Sequence, residues 1–143
     1  MAGEFGLFYT SADGGNSWQP TGMIGEELYP LALYFRDRNN GWAGGLSGVI
    51  MNTTDGGSSW TLQETAVGSP IYKFISDGPN LYAIGDHGSV LKLQEQQWIK
   101  LESPKIPVYL SSGLVLDNKD LLVAGGWGVL FQLPIKTTLA SNN

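Results

Sequence analysis

The sequence of 143 residues lacks cysteine, contains one histidine and carries only two arginines, Arg36 and Arg38. Without cysteine the chain has neither a disulfide framework nor a thiolate metal site. One histidine would leave a metal ion mainly carboxylate ligands, which suit only hard cations, so we expect neither a metal nor a cofactor. The net charge of −5 and the pI near 4.6 argue against a nucleic-acid partner, which requires clustered lysine and arginine.

Long apolar runs are also missing, and the sequence contains neither a segment that could span a bilayer nor a signal peptide. Glycine and proline are abundant, with 20 and 7 residues, and no long segment shows the apolar period of a helix. With 42% hydrophobic and 15% charged residues the chain is globular. This composition predicts an all-β fold that is rich in turns.

A period of about forty residues runs through the chain. Gly48, Gly88 and Gly128 follow one another at steps of 40 residues, each after a strand-like apolar run. Each unit reads as strand, Asp/Asn turn, strand, glycine turn, strand and then a fourth strand. Four short strands are the unit of a β-propeller blade. Because one blade cannot cover both faces of its own sheet, such units must stack on one another.

The predicted fold is therefore an all-β, propeller-type array of four-stranded blades, with about three and a half blades in one repeat domain over residues 1–143. The expected units are a partial blade over 6–22 (strands three and four), blades over 27–63 and 68–101, and a partial blade over 107–139. Thr138 takes the place of the blade's aromatic residue in the last unit. Closed propellers have about four to eight blades. We therefore expect self-association to complete the array, with a dimer favoured.

One turn of eight residues occurs twice, as SADGGNSW at 11–18 and as TTDGGSSW at 53–60. This is the Asp-box pattern, in which the aspartate accepts backbone N–H bonds and the glycines permit positive φ. The tryptophan is expected to bury its ring on the following strand. We interpret the turn as a structural staple rather than a calcium loop, because alternating acidic ligands are missing. The residues assigned to this role are Ser11, Asp13, Gly15, Ser17, Trp18, Thr53, Asp55, Gly57, Ser59 and Trp60.

The candidate binding residues lie at the turns between the second and third strands. In a propeller these turns share one face, the usual ligand side, with the loops that lead to the next blade. Ser47, His87 and Trp127 are equivalent under the forty-residue step, and Asp86 lies beside His87. Trp127 stands between two glycines, and exposed aromatic residues are typical interface anchors. Packing of Trp127 against a neighbouring blade is the alternative.

Acidic residues on the same face leave a glycosidase as another interpretation. That reaction needs two carboxylates about 5–10 Å apart, and nothing in the spacing singles out a pair among Glu26, Glu27, Glu64, Asp86 and Glu102. Sialidase chemistry needs several arginines around the sugar carboxylate, whereas Arg36 and Arg38 share one turn on the opposite face. A third interpretation is a half-propeller that self-assembles and has no ligand of its own.

The segment FRDRNNGWAGGLSGVIMNTTDGGSSWTLQ, residues 35–63, resembles the blades of photosystem II assembly/stability-factor-like propellers. The resemblance is partial over 6–18 and 71–101 and faint beyond 107. It implies a seven-bladed, non-catalytic propeller that binds partner polypeptides during assembly of a membrane complex, in a periplasmic or extracellular location. The photosynthetic members of that family bind their partner through an arginine-rich patch, which Arg36 and Arg38 alone do not provide. The function favoured is a scaffold whose loops recognise a protein or a glycan.

Overall fold

The structure, a computed structural model, describes residues 1–26 and 28–135. This part of the chain forms 13 strands, four short 3₁₀ turns and no α-helix. The strands are β1 (Leu7–Thr10), β2 (Gln19–Met23), β3 (Pro30–Phe35), β4 (Gly41–Gly45), β5 (Ile50–Thr53), β6 (Thr61–Gln63), β7 (Ile71–Ser76), β8 (Leu81–Gly85), β9 (Val90–Gln94), β10 (Gln97–Lys100), β11 (Leu110–Val115), β12 (Leu121–Gly125) and β13 (Leu130–Leu133). No helix among these residues is long and apolar enough to cross a membrane.

The strands form four antiparallel sheets, each with its strands in chain order. The first sheet contains β1 and β2, the second β3 to β6, the third β7 to β10, and the fourth β11 to β13. Residues 1–3 continue the first sheet, since Met1 and Tyr9 exchange backbone hydrogen bonds and Gly3 N donates to Leu7 O. The prediction of an all-β propeller-type array is confirmed. Thr138, assigned to the last unit, lies outside the described residues.

The sheets stack face to face, and three apolar clusters fill the spaces between them. The first strands of the last three sheets, β3, β7 and β11, lie side by side. In every case one side of a sheet packs on the opposite side of the next sheet along the chain. The side that faces the following sheet is called the back face here, and the side that faces the preceding sheet is called the front face. The two middle sheets are covered on both faces. Their second strands, β4 and β8, are consequently buried at every residue. A strand covered on both sides loses the alternation of apolar and polar residues.

Two indole groups meet one amide between the second and third sheets. Gln63 Oε1 accepts hydrogen bonds from Trp42 Nε1 at 3.1 Å and from Trp98 Nε1 at 2.9 Å. Both tryptophans are only 3% exposed, so the amide satisfies two donors that burial would otherwise leave unpaired. Trp98 follows a two-residue turn, Glu95–Gln96, in which both residues have positive φ. This hairpin connects β9 to β10 where the first two sheets have the longer DGG-containing turn.

Glycine in GWAGG lets the second and third sheets approach closely. A methyl group at Gly44 would lie 2.7 Å from Ile71 Cγ2 and 3.3 Å from Phe74 Cζ. These atoms belong to the buried cluster between the two sheets, so neither can move into open space. Glycine inside a strand often marks such a close approach.

We expect Gly44→Ala to lower the free energy of unfolding by about 1–3 kcal/mol, because overpacking forces neighbouring side chains out of place. Gly68→Ala is the matched control, since a methyl group there meets no atom within 4 Å. Urea denaturation of both variants checks the prediction. Equal stability of the two variants would contradict the close packing described.

Candidate functional site

Four short turns connect the second strand of each sheet, or its equivalent at residues 1–3, to the third. They are Glu4–Gly6, Leu46–Gly48, Asp86–Gly88 and Gly126–Gly128, here called the tip turns. The last three share one pattern of backbone hydrogen bonds, in which Gly45, Gly85 and Gly125 donate across the turn at 3.0 Å. The same three turns are each bonded to the segment that precedes the first strand of their own sheet. The tip turns therefore lie at one common end of the stacked sheets.

The middle residue of every tip turn has left-handed backbone geometry. The φ angles are 56° at Phe5, 60° at Ser47, 52° at His87 and 56° at Trp127, and the next residue is always a glycine, also with positive φ. Paired left-handed positions favour Asn-Gly or Gly-Gly, and a bulky residue there is an outlier. Phe5 is 70% exposed and Trp127 is 88% exposed. Packing within the chain therefore does not account for these two aromatic residues.

Phe5 is a member of this set that the sequence interpretation missed. The two DGG-containing turns are 42 residues apart, and the same step carries Phe5 onto Ser47. Sequence reasoning started the repeat at Gly6, one residue too late. Extending the alignment of the two turns toward Met1 would have found Phe5.

The predicted binding residues lie at successive tips rather than around one pocket. Asp86 and His87 are in contact: His87 Nδ1 lies 3.2 Å from Asp86 Oδ2, and the His87 backbone N–H donates to Asp86 Oδ1 at 2.9 Å. Ser47 and His87 line separate clefts. Trp127 belongs to the last sheet and stands in solvent. Of the four predicted binding residues, only Asp86 and His87 are thus in contact with each other.

A patch of three aromatic residues occupies the tip end of the third and fourth sheets. The Tyr72 and Tyr109 rings meet edge to face, with centroids 5.9 Å apart. Tyr109 is 49% exposed and its ring covers Gly126, where a methyl group would lie 3.0 Å from Tyr109 Cε1. Tyr109 O accepts the Gly126 N–H at 2.9 Å. Tyr72, Tyr109 and the adjacent Trp127 are called the aromatic patch below.

Neither of the two clefts that Ser47 and His87 line is lined by two carboxylates. The cleft beside His87 contains the single carboxylate Glu102, and the cleft beside Ser47 contains only Glu64. Glu26 lines neither cleft, and Glu27 lies outside the described residues. No group of three or more His, Asp or Glu converges as a metal site in the part of the chain described. Asp86, which contacts His87, is the further carboxylate next to the cleft that contains Glu102.

The two DGG-containing turns lie at the opposite end of the sheets and share one hydrogen-bond pattern. In the second turn Asp55 Oδ1 accepts from Thr53 Oγ1 at 2.8 Å and from Ser59 N at 2.9 Å, while Asp55 Oδ2 accepts from Ser59 Oγ at 2.6 Å. Thr53 Oγ1 in turn accepts from Gly57 N at 2.9 Å. In the first turn the corresponding groups are Ser11, Asp13, Gly15 and Ser17, with distances of 2.6–2.9 Å. Each turn satisfies its carboxylate internally.

The two turns differ in what covers them. Trp60 packs edge to face on Phe8 at 5.3 Å and on Phe35 at 6.1 Å, and the Phe8 ring closes over Gly57. Trp18 is instead 43% exposed, contrary to the expectation that it buries its ring. The reason is that Trp18 belongs to the front face of the first sheet, which no other described sheet covers. The Trp18 Nε1–H donates to Gly15 O at 3.1 Å.

Comparison with known proteins agrees with the fold. No family model matches the chain. The chain is 34% identical over 66 residues to the photosystem II stability/assembly factor HCF136, chloroplastic, of Oryza sativa subsp. japonica, an alignment that covers 43% of this chain and 16% of that protein. A solved structure described as YCF48 bound to D1 peptide superimposes with a TM-score of 0.61 at 22% identity, over 73% of this chain and 36% of that one.

A second solved structure, YCF48 from Cyanidioschyzon merolae, superimposes with a TM-score of 0.60 at 20% identity, over 76% of this chain and 38% of that one. The chain has the β-propeller-type fold of these solved structures, and over 66 residues it is similar to the photosystem II stability/assembly factor. It spans about a sixth of the length of the curated relative and just over a third of each solved structure.

The two arginines of this chain lie away from the tip turns. The Arg36 guanidinium lies over the Trp42 ring, 5.0 Å from its centroid. Arg38 lines a cleft at the other end of the sheets together with Asp55 and Trp18. Neither arginine belongs to the aromatic patch, so the tip end of this array presents aromatic rather than arginine-rich surface.

Asp55→Asn should destabilise the protein at pH 7 and flatten its stability profile in acid. The hydrogen bonds from Ser59 and Thr53 lower the Asp55 pKa to about 2, from about 3.9 in an unfolded chain. A carboxylate whose pKa is lowered by folding stabilises the fold above the unfolded pKa, and this contribution is lost as the pH falls from about 4 to about 2. Urea denaturation at pH 7 and near pH 2 measures the difference between Asp55→Asn and the native chain, which should shrink in acid.

Glu64→Gln is the control for that measurement, because it makes the same charge change in an exposed loop. Its stability difference from the native chain should stay small at both pH values. A constant difference for Asp55→Asn across the range would contradict the role assigned to the carboxylate.

Proposed function

We propose that this chain is a non-catalytic scaffold that binds a protein segment at the tip end of its sheets. The observation that carries the proposal is Trp127, 88% exposed and held at a φ of 56°. An unfavourable backbone conformation that persists in a bulky exposed residue is a reason to look for a function there. Exposed aromatic residues are common anchors of protein interfaces.

The aromatic patch also contains Tyr72 and Tyr109, which add apolar surface to that of Trp127. Tyr72 and Tyr109 pack on each other at the same end of the sheets as Trp127, and they carry polar hydroxyl groups on apolar rings. Such side chains offer large contact area and lose little conformational entropy on binding. The patch suits an extended peptide that places apolar or aromatic side chains against the rings.

The charge of the chain favours a partner of the opposite sign. With a net charge of −5, the chain attracts basic segments and repels acidic ones at low ionic strength. The solved relative described as YCF48 bound to D1 peptide is a protein of similar fold with a peptide partner. That likeness supports a peptide as the ligand class here and does not identify the peptide.

A glycan is the alternative ligand class, because aromatic side chains also stack on sugar rings. Hydrolysis is disfavoured by the single carboxylate in each cleft at this end, since glycosidases use two. A glycan array and a panel of chromogenic glycosides separate these functions. Turnover that is lost on replacing Glu64 or Glu102 with glutamine would contradict the scaffold.

Trp127→Asn should weaken binding and leave the fold as stable as before or slightly more so. Asparagine tolerates left-handed geometry, so the change relieves a cost of about 1 kcal/mol, and the exposed ring has little packing to lose. Peptides selected against the native chain from a library rich in basic and aromatic residues provide the ligand. Fluorescence anisotropy should show at least a tenfold loss of affinity, and urea denaturation should show no loss of stability.

Ile99→Ala serves as the control, because Ile99 is an exposed apolar residue on the outermost strand of the third sheet. It should leave peptide affinity unchanged. A loss of stability in Trp127→Asn, with affinity retained, would mean that the ring packs within the protein and binds nothing.

A further inference from the structure

A β-bulge occurs at the same place in the first strand of three sheets. The pairing of the first strand with the second shifts at Leu31 in β3, at Tyr72 in β7 and at Ser111 in β11, close to the tip turns. A bulged residue has no partner across the ladder, and bulges often redirect a side chain next to a functional site. The structure therefore repeats one backbone arrangement and places a different side chain on it in each sheet.

The bulged residue of the third sheet, Tyr72, contacts the fourth sheet. Tyr72 is half-buried, and its ring meets that of Tyr109, which precedes β11, with centroids 5.9 Å apart. The Tyr109 ring also lies over Gly126, the residue before Trp127. The aromatic patch therefore extends across the boundary between two sheets.

The spacing of the sheets sets the repeat of a ligand that crosses them. Stacked sheets lie about 10 Å apart, and β7 and β11, the first strands of the third and fourth sheets, lie side by side. A polyproline II segment has three residues per turn, so its side chains return to the same side about every 9 Å. The side chains of a β-strand return to the same side about every 7 Å. The polyproline II repeat is therefore the better match to the step from one sheet to the next.

The chemistry of the aromatic patch also suits a polyproline II segment. The backbone carbonyls of such a segment make no internal hydrogen bonds, and the hydroxyl groups of Tyr72 and Tyr109 and the indole N–H of Trp127 are donors carried on apolar rings. Trp127 is 88% exposed and Tyr109 is 49% exposed. Aromatic-lined surfaces recognise proline-rich peptides in this way, because the preformed conformation reduces the entropy lost on binding.

We propose that the peptide bound at the tip end is a basic, proline-rich segment in the polyproline II conformation, which crosses from the fourth sheet to the third. One of its side chains packs against Trp127, and the side chain three residues away packs against Tyr72. The net charge of −5 favours lysine or arginine at positions that do not contact the rings. This inference rests on the peptide-binding role proposed above and adds the conformation of the ligand and the spacing of its contacts.

An alanine scan of the tightest peptide from the library described above, measured by fluorescence anisotropy, tests the spacing. Alanine at each of two positions three residues apart should lower the affinity for the native chain by about tenfold, as expected for contact residues. Double-mutant cycles then assign the two positions. Alanine at one position should cause no further loss in Trp127→Asn, and alanine at the other should cause no further loss in Tyr72→Leu.

Tyr72→Leu is expected to fold, because Leu31 occupies the equivalent bulge in β3. Circular dichroism checks the fold of both variants. Gln96→Asn is the matched control for Trp127→Asn, since Gln96 is an exposed residue with a φ of 71° in a turn at the opposite end of the sheets. Gln96→Asn should bind each peptide with native affinity.

Proline at the two intervening positions of the peptide tests the conformation. A polyproline II ligand needs no backbone N–H there, so proline should leave the affinity unchanged or raise it. A peptide that pairs as a strand should instead lose affinity by about tenfold or more, because proline removes a ladder hydrogen bond. That loss, or contact positions at any other spacing, would overturn the inference.

The same measurements separate this inference from the binding role on which it rests. Peptides that lose affinity in Trp127→Asn but show another spacing contradict only the polyproline II arrangement. Failure of every library peptide to bind the native chain would contradict the binding role, and this inference with it.

Discussion

Face-to-face packing of sheets is the interaction on which the rest of this structure depends. Each sheet has two apolar faces and too few residues to cover either of them itself. Burial of apolar side chains, at roughly 25 cal/mol per Å², is available only when another sheet lies alongside. The complete burial of β4 and β8 is the direct result, and so is the glycine at position 44, which allows the neighbouring sheet to approach.

The two ends of the stack have opposite character. At the end with the DGG-containing turns, the aspartate oxygens are occupied by donors from within the same eight residues, so little remains to bind a partner. At the other end the tip turns hold aromatic rings in solvent, on backbone that glycine would adopt more readily. The aspartates at the first end are hydrogen-bonded within their own turns, whereas the tip end exposes apolar rings to solvent. This contrast, more than any single residue, directs attention to the tips.

The sequence predicted the stacking well, because apolar runs and turn glycines are local signals that recur at a fixed period. The spacing of Gly48, Gly88 and Gly128 anticipated three tip turns at equivalent places. Phe5 was missed because its turn lies near Met1, where the preceding repeat is too short to be recognised. The exposure of Trp18 was also missed, since the spacing of the tryptophan within the repeated turn is the same whether or not a neighbouring sheet covers its ring. The local sequence determines the conformation of the turn, but burial of its tryptophan ring depends on whether a neighbouring sheet covers that face.

The carboxylate of the DGG-containing turn is hydrogen-bonded within the turn itself, and this local motif has an evolutionary consequence. In the third sheet a two-residue hairpin, Glu95–Gln96, makes the same connection, and Trp98 still reaches the buried amide of Gln63. The third sheet therefore keeps its contact with the second sheet although its connector is shorter and lacks the DGG sequence. Units built in this way can diverge one at a time, so individual repeats can lose their ancestral signature while the architecture persists.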